Sequence, residues 1–357
     1  MKWQPPIPAE LWAQVPPAAQ AAILALILQY EQQLRGNPAA PTAAAGPPPL
    51  PGSGPVPPDG ENSPLGDLAG KTIGSFQLGP MMAAGNTGAI FKAKDATQPG
   101  RKVAFQVMRP ELCRDEDRER FVKTMQVVRG LKHPTLVRVY GAGKNGPNFW
   151  IAMKFVDGES LASRLQRTGV AGRLDWRTTY GVAVSLTRAL DEMHRAGLLH
   201  RGLKPANVMV RATDRKALLG DFSRARPSAG ARVEPLPWPG QLVGDLTYLS
   251  PEQTQPGRVE DVRCDLYGLG ATLYTLLAGR PPFEAGTIDK MVEKIRGDDP
   301  PRPKEFQLAI PEALEGMVMR LLAKRVDVRF QSAADALKEL ERVAKIHQLP
   351  FEPDAGP

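Results

Sequence analysis

The residues best suited to chemistry fall into a few short clusters. Ala83-x-Gly85-x-x-Gly88-x-Ile90 lies between two strand-like runs, and glycines at that spacing let backbone N–H groups approach phosphate oxygens. Taken alone, the segment reads equally well as a Gly-rich hairpin. Downstream come, in order, V-A-F-Q (Val103–Gln106), H-P (His133–Pro134), H-R-G-L-K-P-A-N (His200–Asn207), D-F-S (Asp221–Ser223), S-P-E (Ser250–Glu252), D-L-Y-G-L-G (Asp265–Gly270) and a late Arg329. Other chemistries are poorly supplied. Cys113 and Cys264 are the two cysteines, too few for a disulfide scaffold or a four-Cys zinc site, and they fit a reducing compartment. The four histidines, His133, His194, His200 and His347, form no H-E-x-x-H pair.

These clusters need elements to hold them. From Gly74 onward the chain first shows β-like runs: IGSFQLGPM, AIFKAKD, KVAFQVM, LVRVYGAG and FWIAMKFV. Helical patterns follow over Trp176–His194, Asp265–Ala278, Ile288–Ile295 and Ala333–Lys345. Strands first and helices later imply two lobes, one small and β-rich, one larger and α-rich.

The first 70 residues differ. They hold 15 of the 36 prolines and carry a net charge of −3, leaving +11 on the remainder of a chain whose total is +8. Residues 36–70 are mostly Pro, Gly and Ala, with too little apolar surface to offset ordering entropy, so a disordered linker is expected there. Before it, Pro17–Leu34 reads as an amphipathic helix with Ile23, Ile27, Tyr30 and Leu34 in one stripe, and residues 17–34 are a candidate for self-association. No apolar run is long enough to span a membrane. No dense basic block suggests nucleic acid, so the excess charge reads as a mildly basic surface.

The ordered set of clusters resembles the protein kinase family, specifically bacterial serine/threonine kinases of eukaryotic type, over about residues 74–345. The resemblance implies an α+β, bilobal protein-kinase-like fold, with a helix and a disordered Pro-rich linker ahead of it. The expected divisions are 1–35 for the helical segment, 36–70 for the linker, 71–347 for the kinase-like domain (N-lobe about 74–155, C-lobe about 156–347) and 348–357 for a tail. Active members use a third-strand Lys paired with a helix Glu, a catalytic-loop Asp, and an Asn and an Asp on Mg2+. Matching these positions in this chain gives Gln106 for the Lys, Thr124 for the Glu and Gly202 for the catalytic Asp.

By the same resemblance, Asn207 and Asp221 survive as candidate Mg2+ ligands in the presence of nucleotide, and Lys204 as the γ-phosphate contact. Gly85 and Gly88 match the second and third glycines of the phosphate loop, and Ala83 replaces the first. Ile90, Ala104, Met153 and Met209 match the walls of the adenine slot, with Met153 at the gatekeeper position. Val128, Val139, His200 and Phe222 match the apolar spine, anchored by Asp265, and Glu252 with Arg329 match a buried ion pair. Arg201 matches the residue that receives an activating phosphate, and Ser228 is the hydroxyl in the variable part of the segment after Asp221. Asp245 stands where the family usually has Thr.

The expected function is therefore that of a cytoplasmic signalling or scaffold protein, a catalytically inactive pseudokinase with at most weak binding of ATP and Mg2+ and an unspecified protein partner. The alternative is an active serine/threonine kinase with a rearranged site, using Lys204 as clamp and Asp245 as base.

Overall fold

The computed structural model describes residues 65–351, apart from 86, 111–112, 114–116, 168–171 and 234–242. The expected N-terminal helix, nearly all of the linker and Trp238 lie outside the described residues.

Six strands form the sheet of the smaller lobe: β1 (Thr72–Ile73), β2 (Phe76–Gly85), β3 (Gly88–Asp95), β4 (Lys102–Met108), β5 (Val139–Asn145) and β6 (Asn148–Lys154). Their order is β1-β2-β3-β4-β6-β5, all antiparallel. Strand periodicity gives this sheet two different faces. On one, Phe76, Phe91, Phe105 and Val107 are buried with Trp150 and Leu65 packed on them, and the Phe105 and Trp150 rings stack at 5.1 Å. Leu65–Gly70, assigned to the linker from composition, supplies part of this cover, because Leu65 has an apolar surface to bury against. The other face carries Ile90, Ala104, Gln106, Ile151 and Met153. The pairings Ile90↔Gln106, Gln106↔Ile151 and Ala104↔Met153 put them side by side.

Helix α1 (Arg118–Gly130) lies against the sheet, with Phe121, Thr124, Met125 and Val128 buried along one side. The Phe121 and Phe149 rings stack at 4.6 Å.

The larger lobe contains β7 (Gly158–Ser160), α2 (Leu161–Arg167), α3 (Trp176–Arg195), β8 (Leu198–Leu199), β9 (Val208–Arg211), β10 (Ala217–Leu219), β11 (Arg226–Pro227), α4 (Val243–Leu246), α5 (Val262–Ala278), α6 (Ile288–Gly297), α7 (Glu312–Leu321) and α8 (Ala333–His347). Helix starts follow side-chain capping. Asp175, Asp261, Thr287 and Ser332 each accept a hydrogen bond from a first-turn amide of α3, α5, α6 and α8.

Helix α5 is buried from Cys264 through Ala278, so every face of it meets protein. A Cβ at Gly270 would lie 2.6 Å from the Leu321 Cβ, so glycine sets how closely α5 and α7 approach. One apolar cluster runs from Val128, Val139 and Met153 in the small lobe through Phe222 to Leu266 and Leu321 in the large one. The two lobes thus share a core, as the resemblance leads one to expect.

Candidate active site

The floor of the site is the loop between β8 and β9, folded around one buried carboxylate. Asp265, on the first turn of α5, accepts hydrogen bonds from the His200 amide (2.8 Å), the Arg201 amide (2.7 Å) and His194 Nε2 (3.0 Å). These bonds hold Arg201 at φ 62, a left-handed conformation uncommon for a residue with a Cβ. Burial opposes the charge on Asp265, but the hydrogen bond and charge of His194 and the His200 contacts outweigh it, holding the carboxyl below its usual range.

His200 donates from Nε2 to the Gly220 carbonyl (2.9 Å), while its Nδ1 accepts from the Gly202 amide (3.3 Å). Both bonds fit the neutral imidazole, and a second proton would set N–H against N–H. Full burial accordingly pushes the His200 pKa below 6.5, against the pull of Asp265.

A pH dependence follows. The unfolded imidazole gains a proton near 6.5 and the folded one does not, so its contribution is complete above that pH and is lost as pH falls below it. Asp265, depressed in the fold from an ordinary value of 3.8, adds a second loss at lower pH. Urea midpoints should be level from pH 8 to 7, fall below pH 6.5 and fall again near pH 4; a His200→Phe variant should lose the first decline.

The residues that the resemblance matches to phosphoryl chemistry bond chiefly to one another. Gln106, 4% exposed on β4, donates from Nε2 to Asp221 Oδ1 at 3.1 Å. Asp221 sits at φ 54, and its Oδ1 also accepts from Ser223 Oγ (2.6 Å) and from the Ser223 amide (3.3 Å). Thr124 is buried on α1, and its hydroxyl donates back to the Arg120 carbonyl of the same helix (2.8 Å). Asn207 donates from Nδ2 to the Gly202 carbonyl at 2.7 Å. Lys204 Nζ donates to Asp245 Oδ1 at 2.8 Å, both side chains about a quarter exposed. Asp245, a candidate relocated base by sequence, is thus the counter-ion of Lys204.

Above this floor, Gly85 and Gly88 pair across the β2–β3 turn, and Arg109 Nε donates to the Gly85 carbonyl at 3.1 Å. Gly88 sits at φ 156, and a Cβ there would lie 2.0 Å from the Val107 carbonyl oxygen, so this position requires glycine. Ala83 pairs with Ile90. Ile90, Ala104 and Met209 are half-buried and Met153 is buried. His200 and Phe222 meet edge to face at 5.8 Å.

The activation segment is tied down at its far end by a buried ion pair. Arg329 Nη1 and Nη2 donate to the two Glu252 oxygens at 2.6 and 2.8 Å. This is the arrangement expected of Glu252 and Arg329. Val128, Val139 and Phe222 belong to one apolar cluster, and the Phe222 ring meets His200. The protein kinase domain matches residues 76–340 of this sequence. The chain belongs to the protein kinase family.

Its relatives are bacterial serine/threonine kinases of eukaryotic type. A probable serine/threonine-protein kinase of Streptomyces coelicolor is 34% identical over 274 residues, covering 75% of this chain and 40% of the relative. The serine/threonine-protein kinase PknJ of Mycobacterium tuberculosis is 34% identical over 274 residues, covering 75% and 45%. PknB of Mycolicibacterium smegmatis is 32% identical over 273 residues, covering 75% and 43%. The chain spans less than half the length of these relatives. The crystal structure of the M. tuberculosis PknI kinase domain has a TM-score of 0.61 at 26% identity, covering 77% of this chain and 98% of that one.

Within the kinase domain, the D-F-S string marks Ser223 but not its role, which is to hold the Asp221 carboxylate. Glu260, whose side chain reaches Arg201, carries no sequence signal. Cys264 is a core thiol beside Glu252 (3.4 Å), and burial pushes its pKa well above the usual range. Among the described residues no helix is long and apolar enough to cross a membrane, and no cluster of three or more His, Cys, Asp or Glu could hold a metal ion.

Proposed function

We propose that this chain is a kinase-fold signalling or scaffold protein whose cleft does not transfer phosphate at a useful rate. The observation that carries this reading is the Lys204–Asp245 ion pair, in a cleft where positions 106 and 202 are Gln and Gly.

Phosphoryl transfer relies on positioned charge rather than covalent chemistry. The cation of the third strand is replaced by a neutral amide, which already donates to Asp221. Lys204, at the position of the γ-phosphate contact, is paired with the chain's own carboxylate. Position 202 has no side chain to take the hydroxyl proton, a loss worth about 10²–10⁴-fold in rate.

Bound Mg2+ and ATP would supply the metal and the phosphoryl group, and Asn207 and Asp221 are the residues that would hold the metal. Mg2+ favours near-octahedral oxygen coordination, with one or two carboxylates and the substrate phosphates. Asp221 Oδ1 already accepts three hydrogen bonds, which weakens it as a ligand, while Asn207 bonds the Gly202 carbonyl through Nδ2 and keeps its oxygen for a metal. The half-buried Ile90, Ala104 and Met209 keep an apolar slot, which supports weak nucleotide binding at most.

The rival reading, an active kinase with Lys204 as clamp and Asp245 as base, requires each group to act on substrate while the two are bonded to each other.

Radiolabelled ATP tests the reading. The chain should incorporate no more label into itself or a generic protein substrate than a Lys204→Ala, Asp221→Ala double variant. Label that tracks the chain and disappears in the double variant establishes the rival instead. Thermal shift gives a second check. A ligand at 100 times its dissociation constant stabilises by about 2.7 kcal/mol, and millimolar ATP with Mg2+ should give far less. Asp245→Asn frees the Lys204 charge and should tighten ATP binding by about tenfold, corresponding to about 1.4 kcal/mol.

A further inference from the structure

Arg201 follows the spine histidine and is 4% exposed, so its guanidinium has little access to water and needs a counter-ion inside the protein. Glu260 supplies one. Arg201 Nε lies 2.7 Å from Glu260 Oε2, and Arg201 Nη2 donates to Glu260 Oε1 at 3.1 Å, with the Glu260 side chain fully buried. The pair joins the catalytic loop to the turn that precedes α5.

The carboxylate does not stand alone. Gln253 Nε2 donates to Glu260 Oε1 at 3.1 Å, and Gln253 Oε1 accepts from the Ser250 amide (3.1 Å) and hydroxyl (3.2 Å). The Glu260 amide donates to the Ala231 carbonyl (3.0 Å), the Val233 amide to the Arg258 carbonyl (2.9 Å) and the Gly257 amide to the Val233 carbonyl (2.9 Å). Residues 231–233, in the middle of the segment after Asp221, are therefore sewn to the same turn that carries the counter-ion.

The segment itself offers little to phosphorylate. Between Arg224 and Gly244 the sequence contains a single hydroxyl side chain, Ser228. Its amide and its Oγ both donate to the Gly197 carbonyl, at 2.8 and 3.1 Å. Further along, Thr247 is buried and donates to the Phe283 carbonyl (3.1 Å), and Ser250 is fully buried in the Gln253 network.

We infer that Glu260 is a permanent, genetically encoded stand-in for an activating phosphate on Arg201, so that residues 226–233 are held by the chain's own charge and do not respond to phosphorylation. The pair is one hydrogen bond, from Nη2 to Oε1, beside a 2.7 Å charge contact of Nε with Oε2, so the carboxylate gives the guanidinium the anionic partner that a phosphate would. The pair occupies the guanidinium from the start, where a phosphate would have to arrive from a second enzyme. The inference concerns the segment and is independent of whether the cleft transfers phosphate.

Hydrogen–deuterium exchange on the full chain tests it. Amides of residues 226–233 and 250–260 should exchange at the same rate before and after phosphatase treatment. Glu260→Gln, which removes the charge and keeps the size, should speed their exchange by about tenfold or more while leaving α3 unchanged. In Glu260→Ala, added inorganic phosphate or formate should restore part of the protection by re-pairing Arg201, a rescue that a purely space-filling role for Glu260 would not show. If Glu260→Gln does not fold, Gln253→Ala removes one donor to the carboxylate and should speed the same amides by a smaller factor. The inference is overturned if phosphatase treatment loosens the wild-type segment, if the charge-neutral and Gln253 variants exchange like wild type, or if no anion restores protection to Glu260→Ala.

Discussion

Restoring Lys at position 106, Glu at 124 and Asp at 202 together should raise phosphoryl transfer by at least about 10²-fold over the wild-type chain, the lower end of what a positioned general base contributes. Position 202 has room for the change. A Cβ there meets Asn207 Nδ2 at 3.6 Å, Arg224 Cδ at 3.7 Å and His200 Cε1 at 3.8 Å, all ordinary contacts.

The charges at 106 and 124 must be restored together. Gln106 and Thr124 are both buried, and a Glu at 124 without a cation at 106 is left uncompensated, a cost of several kcal/mol, whereas a Lys at 106 lies within reach of the Asp221 carboxylate. Thr124→Glu alone should therefore lower the thermal midpoint, and adding Gln106→Lys should recover part of it. Adding Asp245→Asn to the triple variant releases Lys204 and should increase the rate further. Incorporation of labelled phosphate into a generic protein substrate reads all of these. If the triple variant folds, binds ATP and still transfers nothing, the missing groups are not what silences the cleft.

Arg329→Leu should be the most damaging single substitution in the large lobe. The Arg329 side chain is fully buried, and all five of its N–H donors are used: two on Glu252, and one each on the Ala323 (2.7 Å), Arg263 (3.1 Å) and Lys324 (3.2 Å) carbonyls. Its guanidinium also lies over the Tyr267 ring at 5.0 Å. Leucine leaves the buried Glu252 carboxylate without its counter-charge and takes one donor from each of three carbonyls. Breaking such a pair costs about 3–5 kcal/mol. In a domain of this size that is a fall in thermal midpoint on the order of 10 °C.

Arg329→Lys should be nearly as harmful, because an ammonium has three donors and no fork. Glu252→Gln with Arg329→Met removes both charges and should cost less than Arg329→Leu alone, which calorimetry on the three proteins would show. Low pH should act in the same direction. Burial raises the Glu252 pKa, but the hydrogen bond and charge of Arg329 outweigh it, so the folded value lies below the ordinary 4.5. The pair's contribution is therefore present above that pH and lost as pH falls below it.

Much of the kinase domain is legible in the amino-acid sequence. The strand runs at residues 89–95 and 102–108 and the helical patterns at 176–194 and 333–345 lie within elements that extend them by no more than two residues at either end, because their apolar periodicity matches the faces they bury. Gln106, Thr124 and Gly202 can be read as departures from the family because the catalytic motifs are local strings with fixed offsets.

The partners of these groups are not legible in the same way. Lys204 and Asp245 are 41 residues apart, Gln106 and Asp221 are 115 apart, and Arg201 and Glu260 are 59 apart. No local pattern marks Glu260, an ordinary acidic residue in a turn. Asp245 reads as a candidate base because its neighbourhood is inferred from the family, and only the fold shows that an ammonium already occupies it.

By itself, then, the sequence determined the family and the two-lobed α+β architecture, because these depend on residue type and short-range spacing. The tertiary structure alone decided what the surviving groups are bonded to. A charge in a partly dry cleft takes the nearest counter-ion in space, and that choice is set when the lobes and the activation segment close on each other.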